Sequence, residues 1–396
     1  MLQKAVRKSV VMALSLAFCS SAVWANEVIK IGLAGPHTGD LAPYGLPTKA
    51  AAEMVIAEVN AAGGINGKKV VLVPGDDQCK PELATNVASK LVSEGVKVVI
   101  GHACSGATKA ALGIYKGAKV TVISPSATAP VLTKGGEYPN FFRTIASDDE
   151  QAILAANFAT TTLKATKVAV IHDKGDYGKG FADFAKDAID KGGKAKVVAY
   201  EGIQPGAMDY SAVIQKIRSE GADTVIFGGY HPEASKLLTQ MKKKRMKPNF
   251  VGSDGIKGDG FIKIAGKDGD GAYATGPQDV TRNPLNAKAR EAHRKQFGQE
   301  PGNYFDQAYA ATLTAVNAIK LAGGTEQVAL AKALRTHLVE TPIGKIRFDA
   351  KGNQIGQSHR RNPVKRYDAA GRLIAPPKPP AAAVDLEALD LGGEAM

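Results

Sequence analysis

Aromatic and sulfur-bearing residues are scarce in this chain. Of 396 residues, 6% are Phe, Trp or Tyr, one is Trp and three are Cys. Several function classes also lack the pattern they need. A nucleophile elbow requires G-x-S-x-G, and Ser105 has Cys104 before it with no glycine two residues back, so a hydrolase of that type is excluded. His102 lies near Ser105 in sequence and reads as a structural hydrogen bonder at a strand end. Neither H-x-x-x-H nor C-x-x-C spacing occurs among the histidines and cysteines, which excludes a zinc site. The glycine-rich turn over 62–68 is one residue short of a phosphate loop, and Lys69 stands where Ser or Thr should follow Lys68. No metal, no cofactor and no catalysis are indicated.

Long apolar runs are missing too. The chain opens with Lys4, Arg7 and Lys8, an apolar run over 10–18, and Ala22-Val23-Trp24-Ala25, a small-residue cleavage pattern. Residues 1–25 read as a secretory signal peptide cleaved near Ala25, because a membrane span needs about 20 apolar residues. Cys19 would suit a lipid anchor, but Phe18 occupies the place of the small residue that should precede it, so the anchor is the weaker reading. No later stretch is long enough to span, and a soluble periplasmic protein is expected. Loss of the leader removes three cations and no acid, taking the formal charge from +13 to +10. The cations are scattered over amphipathic helices. The one dense run, 242–247, reads as a helix end, where cations favour the negative dipole end, and no aromatics interleave with it as nucleic-acid stacking requires. No nucleic-acid partner is expected.

Two cysteines remain, Cys79 and Cys104, each following an apolar run. In an oxidising compartment such a pair closes, worth about 3 kcal/mol for a loop of this size. A plain staple and a brace for Ser105 are equally good readings, and two buried free thiols the poorer one.

What is present is alternation. β-Branched runs at 28–34, 98–101, 120–123, 167–172, 195–200, 224–227 and 249–252 read as strands. Helical patterns over 48–60, 106–116, 180–191, 211–219 and 233–244 separate them, which predicts parallel sheets covered by helices. The loop over 35–47 carries Tyr44 as an exposed aromatic. The strands ending at Gly101 and Ile123 run into two loops of small hydroxyl residues, 101–108 and 124–128. In open α/β sheets that C-terminal edge is the ligand crevice, and Ser105 at a helix start suits a carboxylate. A second α/β half begins after Ser147. Helices over 285–297, 304–321 and 326–338 with a strand over 343–348 most simply complete the first half. The boundaries expected are lobe 1 over 26–147 completed by about 277–355, lobe 2 over 148–276 completed by about 356–370, and a disordered Pro- and Ala-rich tail over 371–396.

The ordered strings Asn60-Ala61-Ala62-Gly63-Gly64-Ile65-Asn66-Gly67, Asp76-Asp77-Gln78-Cys79, Val99-Ile100-Gly101-His102, Cys104-Ser105 and Ile123-Ser124-Pro125-Ser126-Ala127-Thr128 mark the first half. Ile171-His172-Asp173-Lys174, Tyr177-Gly178, Gly228-Gly229-Tyr230, Pro232-Glu233 and Gly252-Ser253-Asp254-Gly255 mark the second. Together they resemble the periplasmic leucine/isoleucine/valine-binding proteins of ATP-driven amino-acid importers, from Ile29 to about Gly356. The resemblance implies the type I periplasmic binding-protein fold, with two doubly wound lobes, a three-segment hinge and a ligand cleft between the lobes. It implies a monomer that hands an L-amino acid, branched-chain or otherwise uncharged and aliphatic, to an inner-membrane ABC permease. A ligand sensor of the same fold is the alternative. Carried over by position, Ser105 and Thr128 hold the ligand carboxylate, with Ala127 beside them. The backbone carbonyl of Ser126 and the carboxylate of Asp254 take the ammonium, with Glu233 next in line. Tyr44, Tyr177, Tyr230 and Tyr304 wall the cleft. The family's best-known members carry Glu where this chain has Asp254, one methylene shorter and about 1.5 Å further back.

Overall fold

The computed structural model describes residues 28–356 and 364–376. The leader over 1–25 and the tail from 377 onward lie outside the described residues. Two parallel sheets dominate. The first is built from β1 (Ile29–Gly35), β2 (Val70–Asp76), β3 (Val98–Ile100), β4 (Thr121–Ser124) and β5 (Phe141–Arg143), in the order β2-β1-β3-β4-β5. Its strands are linked by α1 (Ala42–Ala61), α2 (Pro81–Ser93), α3 (Ser105–Gly117) and the one-turn α4 (Val131–Lys134). The order reverses between β1 and β3, so the loops leaving these strands splay apart and leave a crevice at their C-terminal ends.

After β5 the chain crosses to the second half through α5 (Asp148–Asn157) and a π-helical turn, Phe158–Thr162. There β6 (Lys167–His172), α6 (Asp176–Gly192), β7 (Lys196–Gly202), α7 (Ser211–Ser219), β8 (Thr224–Gly228), α8 (His231–Lys243), β9 (Asn249–Gly252), α9 (Asp259–Ala265) and β10 (Tyr273–Ala274) follow. The chain then returns to the first half with α10 (Pro284–Phe297), α11 (Phe305–Ala322), α12 (Gln327–Thr336) and a small antiparallel sheet of β11 (Val339–Thr341), β12 (Gly344–Phe348) and β13 (Gln354–Gly356). A third crossing leads to β14 (Lys365–Tyr367) and β15 (Leu373–Ile374), which extend the second sheet in the order β15-β14-β10-β9-β8-β6-β7.

Strand periodicity divides the core as the two-residue repeat requires. Val98, Ile100, Ile123 and Phe142 face one side of the first sheet, packing on α1, α11 and α12, while Val99, Val122 and Phe141 face α2 and α3 on the other. In the second sheet Ile171, Val225 and Phe227 meet α7 and α8, and Val168, Val170 and Ile226 meet α5 and α6. Both faces are covered, which is why these strands read as unbroken apolar runs.

The structure differs from expectation at three places. Helix α1 begins at Ala42, six residues earlier than the apolar pattern, and Tyr44 is buried at 4% exposure rather than exposed in a loop. Pro43 and Pro47 read as loop, yet Pro43 stands in the first turn, where backbone N–H groups lack helical partners anyway, and Pro47 costs one internal bond. Gly45 lets this turn press on Pro36, whose carbonyl oxygen would sit 2.0 Å from any added Cβ. Helix α6 likewise begins at Asp176 rather than near 180, which puts Tyr177 on a helix. Finally, Leu373–Ile374 lies in an edge strand paired with Arg366 and Tyr367, inside the stretch expected to be disordered. An antiparallel pair of such short strands carries no periodicity to read.

Candidate functional site

The first sheet's edge is built from backbone turns and small hydroxyls. Gly101 adopts φ +119°, and a Cβ there would lie 1.9 Å from the Ala34 carbonyl oxygen, so only glycine lets β3 turn here. Cys104 then caps α3 and is disulfide-bonded to Cys79, with 5.4 Å between their Cα atoms. A polar pair runs beside the disulfide at the same sequence separation. Asp77 Oδ2 lies 2.5 Å from His102 Nδ1, whose Nε2 lies 3.0 Å from the Tyr115 hydroxyl, all of it buried. Both His102 nitrogens are thereby engaged away from Ser105, so His102 cannot act on it as a base.

The two loops are laced together. Ser124 Oγ donates to the His102 carbonyl (2.6 Å) and accepts from the Ala127 N–H (2.9 Å), while Ser126 Oγ donates to the Ala103 carbonyl (2.8 Å). Ser105 Oγ accepts the Ala129 N–H at 3.1 Å, leaving its own proton to donate elsewhere. The Ser105 and Thr128 N–H groups and the Ser126 carbonyl have no protein partner among the described residues. Ala127 differs, because its methyl group packs into the core with Val122 and Phe141 and only its backbone faces polar groups.

Opposite this edge stand the tyrosines. Tyr177 opens α6, Tyr230 caps α8, and Tyr304 caps α11 in a left-handed conformation, φ 64°. Ring centroids lie 5.8 Å apart for Tyr44 and Tyr230, 5.8 Å for Tyr44 and Tyr304, and 5.0 Å for Tyr177 and Tyr230. With Ala103, Cys104, Ser105 and Ser126 the four rings enclose one narrow cavity between the two sheets. The Tyr44 hydroxyl bridges the halves, 2.5 Å from the Gly255 carbonyl oxygen and 2.6 Å from His231 Nδ1. Its single proton goes to the carbonyl, so His231 donates from Nδ1. Burial pushes the His231 pKa down to about 4, which keeps the ring neutral. Burial also pushes the four tyrosine hydroxyls well above their ordinary range, so they stay protonated.

Asp254 sits in a 3-10 turn, Asp254–Ile256, with Oδ1 2.5 Å from the Tyr177 hydroxyl and Oδ2 buried without a partner. Sequence reasoning missed a second carboxylate, Asp148, the first residue of α5. Its Oδ2 accepts from Thr128 Oγ1 at 2.9 Å, and its Oδ1 is buried and unpartnered. The readable signal was Ser147 followed by Asp148-Asp149-Glu150, a helix start, but that position served only as a boundary between halves. Burial, then the neighbouring Asp254 charge, pushes Asp148 well above the carboxylate range, and burial raises Asp254 as well. Since Thr128 gives its hydroxyl proton to Asp148, what it retains for an anion is its backbone N–H. Glu233 does not line the cavity and accepts the Gly206 N–H at 3.1 Å. Among the described residues no cluster of His, Cys, Asp and Glu could hold a metal ion.

Ser105 and Ser126 thus line the cavity on one side and the tyrosines on the other. Behind this lining lie the unpartnered oxygens of Asp148, bonded to Thr128, and Asp254, bonded to Tyr177, between two doubly wound sheets crossed three times by the chain. Such an architecture defines a two-lobed protein that closes over a small molecule. The chain belongs to the periplasmic binding protein family, whose model it matches over residues 28–360. Among its relatives is the leucine-, isoleucine-, valine-, threonine- and alanine-binding protein of Pseudomonas aeruginosa, 39% identical over 86% of this chain and 91% of the relative. Another is the Leu/Ile/Val-binding protein of Escherichia coli, 35% identical over 87% of this chain and 92% of the relative. Similar solved structures include the branched-chain amino acid transporter substrate-binding protein of Streptococcus pneumoniae in complex with isoleucine. It matches with TM-score 0.78 and 29% identity over 88% of this chain and 98% of that one. The leucine-binding protein of Thermotoga maritima matches with TM-score 0.81 and 25% identity over 88% and 97%.

Proposed function

We propose that the protein is a receptor that captures an uncharged L-amino acid between its lobes and delivers it to an ABC importer in the inner membrane. The observation that carries this reading is the polarity of the cavity. The Ser105 hydroxyl and the Ser105 and Thr128 N–H groups suit a carboxylate at the start of α3. For an ammonium there are three acceptors, the Ser126 carbonyl on the same loop, Asp148 Oδ1 beside Thr128 and Asp254 Oδ2 beside Tyr177. A zwitterion needs both sides, because a desolvated charge without a partner is costly. Among the described residues no lysine or arginine lines the cavity to greet an acidic side chain, and the tyrosine rings suit aliphatic ones.

The relatives named for leucine, isoleucine and valine support that class, and the one named also for threonine and alanine widens it to smaller uncharged side chains. The protein acts as a monomer in the periplasm after loss of its leader and returns its ligand unchanged, with no catalytic step. The test is a thermal-shift panel of the common L-amino acids with sugar and nucleotide controls, since a ligand that binds only the native state raises the melting temperature. Leucine, isoleucine or valine should give the largest shifts. A shift from sugars or nucleotides with none from any L-amino acid would overturn the reading.

A further inference from the structure

Arg143, the last residue of β5, has no exposed surface, and its guanidinium reaches under the loop of residues 127–129. Nη1 donates to three successive carbonyls, those of Thr128 at 2.7 Å, Ala129 at 3.1 Å and Ala127 at 3.4 Å. Nη2 donates to Thr133 Oγ1 at 2.7 Å and Nε to Asn353 Oδ1 at 2.8 Å. All three nitrogens are therefore engaged by carbonyl, hydroxyl and amide oxygens. Burial lowers its pKa to about 10, so the group is still charged at neutral pH.

We propose that Arg143 is the positioning residue for the ligand carboxylate, acting at one remove through two peptide groups. A trans peptide is a rigid plane whose C=O and following N–H point in opposite directions. The Ala127 carbonyl belongs to the same plane as the Thr128 N–H, and the Thr128 carbonyl to the same plane as the Ala129 N–H. A cation bonded to the carbonyl ends fixes both planes and draws electron density away from both N–H groups, because linked hydrogen bonds polarise one another. The Thr128 N–H has no protein partner among the described residues and lies two residues past Ser126, which lines the cavity. The Ala129 N–H donates to Ser105 Oγ, which commits that oxygen as an acceptor and turns its proton outward. One buried charge thus prepares both a backbone donor and a hydroxyl donor without touching the ligand.

The other end of Arg143 reaches the turn between β12 and β13 of the small antiparallel sheet. Its backbone N–H donates to the Gly352 carbonyl at 2.9 Å, and Asn353, held by Asp349, closes the contact. The β12–β13 turn and the loop of residues 127–129 therefore share one anchor.

The inference rests on the amino-acid reading above, and the two fail differently. Calorimetry on the wild-type protein with L-leucine and with L-leucinamide, which keeps the ammonium and lacks the carboxylate charge, gives the ratio of the two affinities. If the wild type binds neither L-leucine nor any other L-amino acid, the functional reading fails. If it does bind, Arg143→Lys and Arg143→Gln should lower the leucine-to-leucinamide ratio, by about 10-fold in Arg143→Gln and less in Arg143→Lys. Asn353→Ala, which frees only Nε, should lower it by a few-fold. A folded Arg143 variant that loses leucine and leucinamide affinity in equal proportion, or loses neither, would overturn the inference and leave Arg143 a core brace. Should both Arg143 variants fail to fold, an unchanged ratio in folded Asn353→Ala overturns it and a lowered ratio supports it.

Discussion

The two walls of the cavity are made differently. The wall from the first sheet is a set of backbone groups fixed by a disulfide, the Asp77–His102 pair and a lattice of serine-to-carbonyl bonds, all belonging to residues 77–129. The opposite wall consists of side chains, four tyrosines with Asp254 behind Tyr177. Two of those tyrosines, Tyr44 and Tyr304, stand on helices that pack against the first sheet and meet Gly255, His231 and Asp254 only across the gap. The first wall is complete once its own half has folded, whereas the second exists only when the halves have met. In the proposed reading the carboxylate donors stand ready before closure, and the tyrosines and Asp254 join them only when the lobes meet.

The largest way to break the comparison is to cut the disulfide. Replacing both Cys79 and Cys104 with Ala should lower stability by about 3 kcal/mol in urea unfolding, from the loop it closes. Affinity for the amino acid should stay within a few-fold, because the Asp77–His102 pair and the serine bonds still hold the first wall. A collapse of affinity in protein that remains folded would show that the wall depends on the covalent tie.

Asp254→Ala attacks the other side. It should weaken amino-acid binding by at least about 2 kcal/mol, the usual scale for leaving a buried ammonium without its partner, with little change in unliganded stability, since the lost carboxylate is itself poorly solvated. Calorimetry measures both affinity and enthalpy, and unchanged affinity would transfer the role to Asp148.

Acid should act through His231 at the junction. The ring has a native pKa of about 4 against 6.5 unperturbed, so the unfolded chain binds the extra proton between these values. Stability is fully present above pH 6.5 and falls as pH drops towards 4, by about 2 kcal/mol at pH 5. Burial raises Asp173 to about 7, which works with the opposite sign, its contribution falling as pH rises from 4 to 7. The His231 effect is therefore read as the difference between wild type and His231→Asn in melts from pH 4.5 to 8. Parallel profiles would exclude the histidine.

Tyr44→Phe is the mildest cut. It removes one hydroxyl from the bridge to Gly255 and His231 while leaving the ring in the wall. A loss of about 1 kcal/mol in ligand affinity is expected, appearing as faster dissociation in stopped-flow measurements. Slower association with unchanged dissociation would place Tyr44 in the open form instead.

Several features of this protein were determined by sequence alone. Unbroken apolar runs fixed which residues become buried strands, and the strand over 249–252 coincides with β9 residue for residue, because a strand covered on both faces leaves little freedom in where its apolar run stops. The hydroxyl loops after β3 and β4 were legible for the same reason, since their glycines and serines have no other use at a sheet edge. Two cysteines beyond the ends of β2 and β3 in an exported chain predicted their own bond. Tertiary structure decided the rest. Nothing local marks Tyr44 as buried, because its burial comes from His231, Gly255, Tyr230 and Tyr304, residues 186 or more positions away that the fold alone brings near. Asp148 reads locally as an ordinary acidic helix start and becomes a site residue only because Thr128 and Asp254 converge on it. Arg143 reads as the end of a short apolar strand, and its hold on three carbonyls depends on how the 127–129 loop folds back over β5. Pattern along the chain encodes which face of an element meets the core, but pairing across long sequence separations depends on closure of the whole fold.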